Sequence, residues 1–306
     1  MIYTITCNPA LDCTVMLERL TLGAMNRTRD NVLSPSGKGI NVSCVLTALE
    51  QENVALGFVA GETGALLETM LTHRGVATDF VKLPHGSTRI NVKVYADTET
   101  ELNAAGAAVD ETAFAALLEK RNALQAGDVL CLCGSLPPAL PANAYVRLLD
   151  GMAQRGVNTV LDTAGQPLVA ALPAHPWLIK PNRQELSDLL EEEIVTMDQA
   201  AEGAALLQVK GARNVLVSLG GEGALLCTEE GRRLYLPAPE GKVRGTVGAG
   251  DSAVAGFVTG FLTHGTLTDA LRTGIACGSA TAFAGRLANK AEIETVLQRV
   301  GQPIEM

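Results

Sequence analysis

The chain has 306 residues, 47% hydrophobic and 19% charged, which supports a sizeable core and excludes wholesale disorder. Its 24 Lys and Arg against 33 Asp and Glu leave a formal charge of −9, so it has no global attraction to nucleic acid or anionic lipid, and a phosphate ligand has to be drawn by a local basic site. No apolar run approaches the roughly 18 to 20 residues that span a bilayer. The opening MIYTITCNPALD reads as a strand rather than a signal peptide, and the seven cysteines, scattered without a CxxC pair, fit a reduced, cytoplasmic compartment better than a disulfide framework.

In chain order, DCTVMLE (12–18) alternates apolar and polar positions, as half-exposed strands do. TRINVKVYA (88–96) repeats that pattern, and TETELNAAG (98–106) can pair back onto it through a turn at Asp97. Segments of about 12–34 and 87–106 therefore predict a small β-sheet lid inserted into the body. Strands follow at 128–135, 158–165, 177–182 and 214–221. Helices are predicted at 143–156, 183–193, 197–211, 250–264, 267–284 and 289–299. Near-continuous apolar strands alternating with amphipathic helices predict a doubly wound, mostly parallel α/β sheet. Without a linker, repeat or low-complexity segment, residues 1–306 read as one domain. Cys131 and Cys133 share one face of their strand and read as core thiols. The four histidines lie too far apart to form a metal site.

Five segments carry candidate chemistry. Asn8-Pro9-Ala10-Leu11-Asp12 ends the first strand, where α/β proteins gather ligands; Asp12 could bind sugar hydroxyls or cap a turn. In Ser36-Gly37-Lys38-Gly39-Ile40-Asn41, glycines open a helix beside a cation, with Lys38 and Asn41 as polar contacts or a solvated loop. Lys180-Pro181-Asn182-Arg183-Gln184-Glu185 puts Asn182 and Glu185 on one helix side. That pair suits hydrated magnesium and nucleotide phosphates and equally forms a capping box. Ser218-Leu219-Gly220-Gly221-Glu222-Gly223 is a glycine turn after a strand, suited to a nucleotide or to a tight hairpin. The strongest signal is Thr246-Val247-Gly248-Ala249-Gly250-Asp251-Ser252 before a helix-length apolar run. Free N–H groups at a helix start bind anions, and a carboxylate beside them makes sense as a general base for phosphoryl transfer; the plain alternative is that Asp251 favours the helix dipole. Gly248-x-Gly250-x-x-Ala253 formally matches a dinucleotide fingerprint but lacks the following strand and its acidic residue, and no GxxxxGK[ST] loop is present. Arg89, Lys93 and Arg27 lie on the lid segments, where an arginine suits bidentate capture of a phosphate.

Taken in order, NPALD, SGKGINV, TRINVK, TELNAAG, GSLPP, DTAG, KPNRQE, SLGGEGA, TVGAGDS and GSATAF resemble the ribokinase-like sugar kinases of the phosphofructokinase B family over nearly the whole chain. The resemblance implies an ATP- and Mg²⁺-dependent kinase acting on a phosphosugar, dimerised through its β lid. TRINVK followed by TELN points to the branch that phosphorylates D-fructose 1-phosphate or tagatose 6-phosphate, and GSATAF leans towards fructose 1-phosphate. Fructose 6-phosphate, or a non-catalytic sugar-phosphate sensor, stands as an alternative. By the same resemblance, Asp251 is the catalytic base, with the amides of Gly248, Ala249 and Gly250 as the anion hole. Asp12, Gly37, Lys38 and Asn41 hold the sugar, Arg89 and Arg27 its phosphate, and Asn103 is a further substrate contact. Asn182 binds the nucleotide and Glu185 the magnesium, through water. Ser218, Gly220 and Gly223 form the nucleotide pocket. Ser36 replaces the family's usual first glycine, and Ala104-Ala105 its proline-glutamate.

Overall fold

A computed structural model describes residues 1–306. The chain begins with β1 (Ile2–Thr6), then β2 (Ala10–Met16), β3 (Asp30–Ser36), α1 (Lys38–Ala48), β4 (Asn53–Ala60) and α2 (Gly61–His73). Next come β5 (Ala77–Thr78), β6 (Val81–Leu83), β7 (Arg89–Tyr95), β8 (Glu99–Leu102), α3 (Glu111–Asn122) and β9 (Val129–Cys133). The middle holds α4 (Ala144–Leu149), β10 (Asn158–Asp162), α5 (Gln166–Ala171), β11 (Leu178–Ile179), α6 (Arg183–Leu190), α7 (Met197–Val209) and β12 (Asn214–Ser218). The chain closes with β13 (Ala224–Cys227), β14 (Arg233–Leu236), α8 (Ala249–His264), α9 (Leu267–Ala284), α10 (Lys290–Leu297) and β15 (Ile304–Glu305). No helix is long and apolar enough to cross a membrane.

The main sheet has the order β15-β14-β13-β12-β11-β10-β9-β1-β4-β5, with β6 beside β4. It is parallel from β5 through β12 and antiparallel from there to β15, as a doubly wound, mostly parallel sheet requires. Alternation along β9 shows why both faces are covered. Leu130 and Leu132 enter one core of 36 buried residues, while Val129, Cys131 and Cys133 enter the opposite core of 28. Both cysteines are fully buried, and burial pushes the Cys131 thiol up to about 12.

A second, separate sheet has the order β3-β2-β7-β8. β2 runs parallel to β7 and antiparallel to β3, and β8 folds back on β7 as the alternating pattern predicted. Register puts Asp12, Ser36, Asn91, Lys93 and Glu101 on one face, and Cys13, Leu33, Ile90, Val92 and Leu102 on the other.

Several predicted elements are shorter than their sequence pattern, and two of them show the physical reason. The helix expected over 143–156 stops at Leu149, because the Arg121 guanidinium donates to the carbonyls of Arg147 (2.6 Å), Leu148 (2.8 Å) and Asp150 (2.6 Å) and so caps the helix end. The strand expected over 177–182 is continuous only at Leu178–Ile179, since Pro181 has no N–H to offer a ladder, and pairing resumes as an isolated parallel bridge between Asn182 and Ser218.

Candidate active site

The carboxyl ends of β1, β10, β11 and β12 point to one edge of the main sheet, and each supplies polar residues there: Asn8, Asp162, Lys180 and Ser218. The start of α8 faces the same edge. Gly248 is its N-cap at φ 80°, a left-handed conformation that disfavours any side chain, and a Cβ there would also meet Leu287 Cδ2 at 2.7 Å. Ser252 N–H returns to Gly248 O at 2.9 Å, and Ala249 N–H closes on Thr246 O at 3.1 Å. The Ala249 amide expected in the anion hole is therefore engaged within the turn. The amides of Gly250 and Asp251 have no protein acceptor and line the cavity.

Asp251 is 7% exposed, and Asn41 Nδ2 donates to its Oδ2 at 2.7 Å. Burial, followed by the negative charge of Asp162, raises the Asp251 carboxyl to about 6, opposed by the Asn41 hydrogen bond and by Lys38 and Lys180. Asp162 is fully buried between two cations, Lys38 Nζ at 2.9 Å from Oδ1 and Lys180 Nζ at 3.4 Å from Oδ2. Burial pushes its carboxyl up, but the two lysines outweigh that and hold it below the usual range. Lys38 Nζ also lies 3.8 Å from Glu185 Oε1; burial pushes its pKa down, but the carboxylates of Asp162, Glu185 and Asp251 together outweigh that and raise it. Buried charges are tolerable only when paired in this way.

On one side of this cluster opens a cavity of about 690 Å³. Lys38, Lys180, Asn182, Glu185, Ser218, Gly220 and Gly223 line its polar end, with Gly248, Ala249, Gly250 and Asp251. Leu216, Ala224, Val243, Ile275 and Phe283 line its apolar end. Polar groups on one part of the wall and apolar groups on another suit phosphates and a base respectively. Asn182 caps α6 by accepting from Glu185 N–H at 2.8 Å, while Glu185 Oε2 accepts from Asn182 N–H at 2.8 Å, so the capping box and the cavity wall are the same two residues.

On the other side stands the polar face of the small sheet. Asp12, 7% exposed, accepts from Asn91 Nδ2 at 2.9 Å and from Ser36 Oγ at 2.8 Å, and pairs with Lys93 at 3.3 Å. Gly37 is the N-cap of α1. Arg89 donates to Ala104 O (3.1 Å) and Asn8 O (2.9 Å), and its enclosed Nε has no partner. Asn103 donates to Glu101 Oε2 at 3.2 Å on the exposed rim. Arg27 lies in the exposed connection between β2 and β3, apart from the other residues and with no side-chain partner. Asn41, expected on the sugar, is turned to Asp251.

Asp162, Lys180, Asn91 and Lys93 are central here, yet sequence reasoning gave the first three no role and Lys93 only a place on the lid. Asp162 and Lys180 did carry a signal: each is the first charged residue at the carboxyl end of its parallel strand, at the sheet edge where ligands bind.

The pfkB family carbohydrate kinase model matches residues 7–293. The 1-phosphofructokinase of Bacillus subtilis is 39% identical over 300 residues, 98% of each chain. The D-tagatose-1-phosphate kinase of Bacillus licheniformis is 36% identical over 307 residues, again 98% of each. The crystal structure of phosphofructokinase-2 from Escherichia coli in complex with fructose-6-phosphate superimposes with a TM-score of 0.90 at 29% identity, covering 97% of this chain and 98% of that one. With a matching sheet, a paired charge cluster at its carboxyl edge and full-length relatives, this chain belongs to the pfkB family of carbohydrate kinases, the ATP-dependent enzymes that phosphorylate sugars.

Proposed function

We propose that the enzyme transfers the γ-phosphoryl group of ATP to the 6-hydroxyl of D-fructose 1-phosphate, giving fructose 1,6-bisphosphate. The observation that carries this reading is the pairing of a buried Asp251, raised to about 6, with unpartnered Gly250 and Asp251 amides at the mouth of a nucleotide-sized cavity. The near-full-length relatives supply the sugar. Asp251 Oδ1, the oxygen not held by Asn41, accepts the hydroxyl proton as the sugar oxygen attacks in line. The Gly250 and Asp251 amides, with Lys38 and Lys180 beside them, stabilise the charge on the transferring group. Ser218, Gly220 and Gly223 seat the nucleotide, and Asp12 and Arg89 orient the sugar phosphate. Closure of the small sheet over the site excludes water that would hydrolyse ATP.

Magnesium fits this donor set as a hydrated ion. Glu185 Oε1 accepts no hydrogen bond and has only the Lys38 ammonium near it, at 3.8 Å, and no cluster of three protein ligands is present to strip the ion of its water. Glu185 and Asn182 would hold it with the ATP phosphates, where it neutralises β- and γ-phosphate charge.

A second reading, D-tagatose 1-phosphate, is favoured by the relative of that name. The two sugars differ only at C4, so a contact to that hydroxyl decides between them. Tagatose 6-phosphate and fructose 6-phosphate would require the ring to bind end for end. Initial rates with MgATP and each of the four phosphosugars, compared by kcat/KM, test the assignment. A preference of at least tenfold for fructose 1-phosphate is expected, about 1.4 kcal/mol in transition-state binding. A preference for any other sugar reassigns the substrate. D251N should retain sugar binding and lose at least a hundredfold in kcat; near-wild-type turnover in D251N would remove the base assignment.

A further inference from the structure

We propose that Asn41 is a positioning residue for the phosphoryl transfer: it aims the Asp251 carboxylate through a direct hydrogen bond, in addition to any contact it makes with the sugar. The inference rests on Asp251 being the general base.

The geometry carries it. Asn41 Nδ2 lies 2.7 Å from Asp251 Oδ2, and this is the only side-chain hydrogen bond the Asp251 carboxylate makes. The charged groups around it come from four other places in the fold: Lys38 at the start of α1, Asp162 at the end of β10, Lys180 after β11, and Glu185 on α6 beyond Lys38. None of them orients Asp251. Lys38 and Lys180 both form their ion pairs with Asp162, and no salt bridge reaches Asp251. A carboxylate turning freely about its terminal torsion would offer either oxygen to the substrate in changing directions. Asn41 removes that freedom. It sits in the first turn of α1, its own N–H bonded to Gly37 O at 2.9 Å, so its amide reaches Asp251 from a fixed origin.

The chemistry of the amide suits the task. An amide N–H donates but does not ionise, so it orients the carboxylate without neutralising it as a cation would. With Oδ2 occupied, Oδ1 is left to receive the hydroxyl proton. A donor to the ionised form also favours that form, which opposes the burial and the Asp162 charge that raise the Asp251 carboxyl to about 6. Asn41, together with Lys38 and Lys180, thereby favours the ionised base against burial and the Asp162 charge.

The test uses the full-length enzyme with saturating MgATP and varied fructose 1-phosphate, or the sugar preferred in the panel above. The pH dependence of kcat/KM for the sugar is measured for the wild type and for N41L, N41S, N41D and D251N. N41L keeps the volume without the donor, N41S shortens the reach, and N41D sets an acceptor against an acceptor. The substrate's phosphate also titrates near pH 6, but equally for every variant, so the differences between profiles report the enzyme. The wild type should lose activity below about pH 6. N41L and N41S should move that limb up by about one pH unit. Their kcat at pH 7 should fall about tenfold, KM for the sugar should stay within threefold, and only about twofold of the rate, the share due to protonation, should be regained at higher pH. N41D should shift the limb further still. An unmoved limb in folded N41S or N41L, with D251N inactive, overturns the inference; a tenfold rise in KM at unchanged kcat would assign Asn41 to the sugar alone. D251N with near-wild-type turnover would instead remove the base, and the inference with it.

Discussion

Ser36 is the position at which this sequence leaves its family's glycine pattern, and the structure gives it a task. Its hydroxyl donates to Asp12 Oδ2 at 2.8 Å, while Asn91 holds Oδ1 at 2.9 Å and Lys93 stands 3.3 Å from Oδ2. A carboxylate has about four lone-pair sites. Three donors leave little room, so Asp12 can accept from a single sugar hydroxyl in a fixed direction. Ser36→Ala removes one of those donors without changing the backbone. A hydrogen bond of this kind contributes about 1 kcal/mol, so KM for the sugar should rise about fivefold while KM for ATP stays unchanged. Steady-state kinetics with each substrate varied in turn check this, and an unchanged sugar KM would show that Asp12 is aligned without Ser36.

At the scale of elements, the placement of α8 decides where its amides and Asp251 lie, and α9 sets that placement. Ser252 Oγ donates to Gly248 O at 2.8 Å, which leaves Thr281 as the donor in the buried 2.8 Å contact between Ser252 Oγ and Thr281 Oγ1. Thr281 Oγ1 in turn accepts from Ala288 N–H at 3.2 Å. The chain of hydroxyls ties the first turn of α8 to α9 and to the loop behind it. Thr281→Val keeps the shape and leaves the Ala288 N–H buried without a partner, at a cost of about 1–3 kcal/mol. A thermal midpoint a few degrees lower, with kcat reduced less than in D251N, is the expected result by calorimetry and kinetics. Such ties mark the limit of what local sequence pattern reveals. Periodicity located α9 at its observed ends and α8 to within one residue, and glycines before an apolar run marked the turn whose Gly250 and Asp251 amides have no protein acceptor. Asn41 facing Asp251 spans 210 residues of sequence and Lys38 facing Asp162 spans 124, and spacing carries no trace of either contact. The tight hairpin offered for Ser218–Gly223 is the turn that joins β12 to antiparallel β13, but the extent of β13 and the existence of β14, four residues each, were not legible, because short buried runs do not distinguish strands from loops.

For the whole molecule, the small sheet poses a packing problem that one chain leaves open. Its polar face carries Asp12, Asn91 and Lys93, while its opposite face presents Leu33, Ile90 and Leu102 at 37%, 43% and 59% exposure. A sheet with one apolar face is stable when that face is buried against another layer. Leu11 enters the core below and Val94 is buried, while these three stay exposed. A second copy of the same sheet supplies a matching layer, because a two-fold axis brings an identical apolar patch onto this one. The enzyme is therefore expected to be a homodimer through the small sheet, with light scattering giving twice the 32.0 kDa chain mass at micromolar concentration. Ile90→Lys combined with Leu102→Glu should yield monomers that keep their fold by circular dichroism. Because the same strands carry Asp12 and Arg89 on their other face, those monomers should lose sugar affinity before nucleotide affinity. A wild-type chain that remains monomeric at these concentrations would show that the exposed face is left to solvent, and that Asp12 and Arg89 are held by the β2–β7 ladder alone.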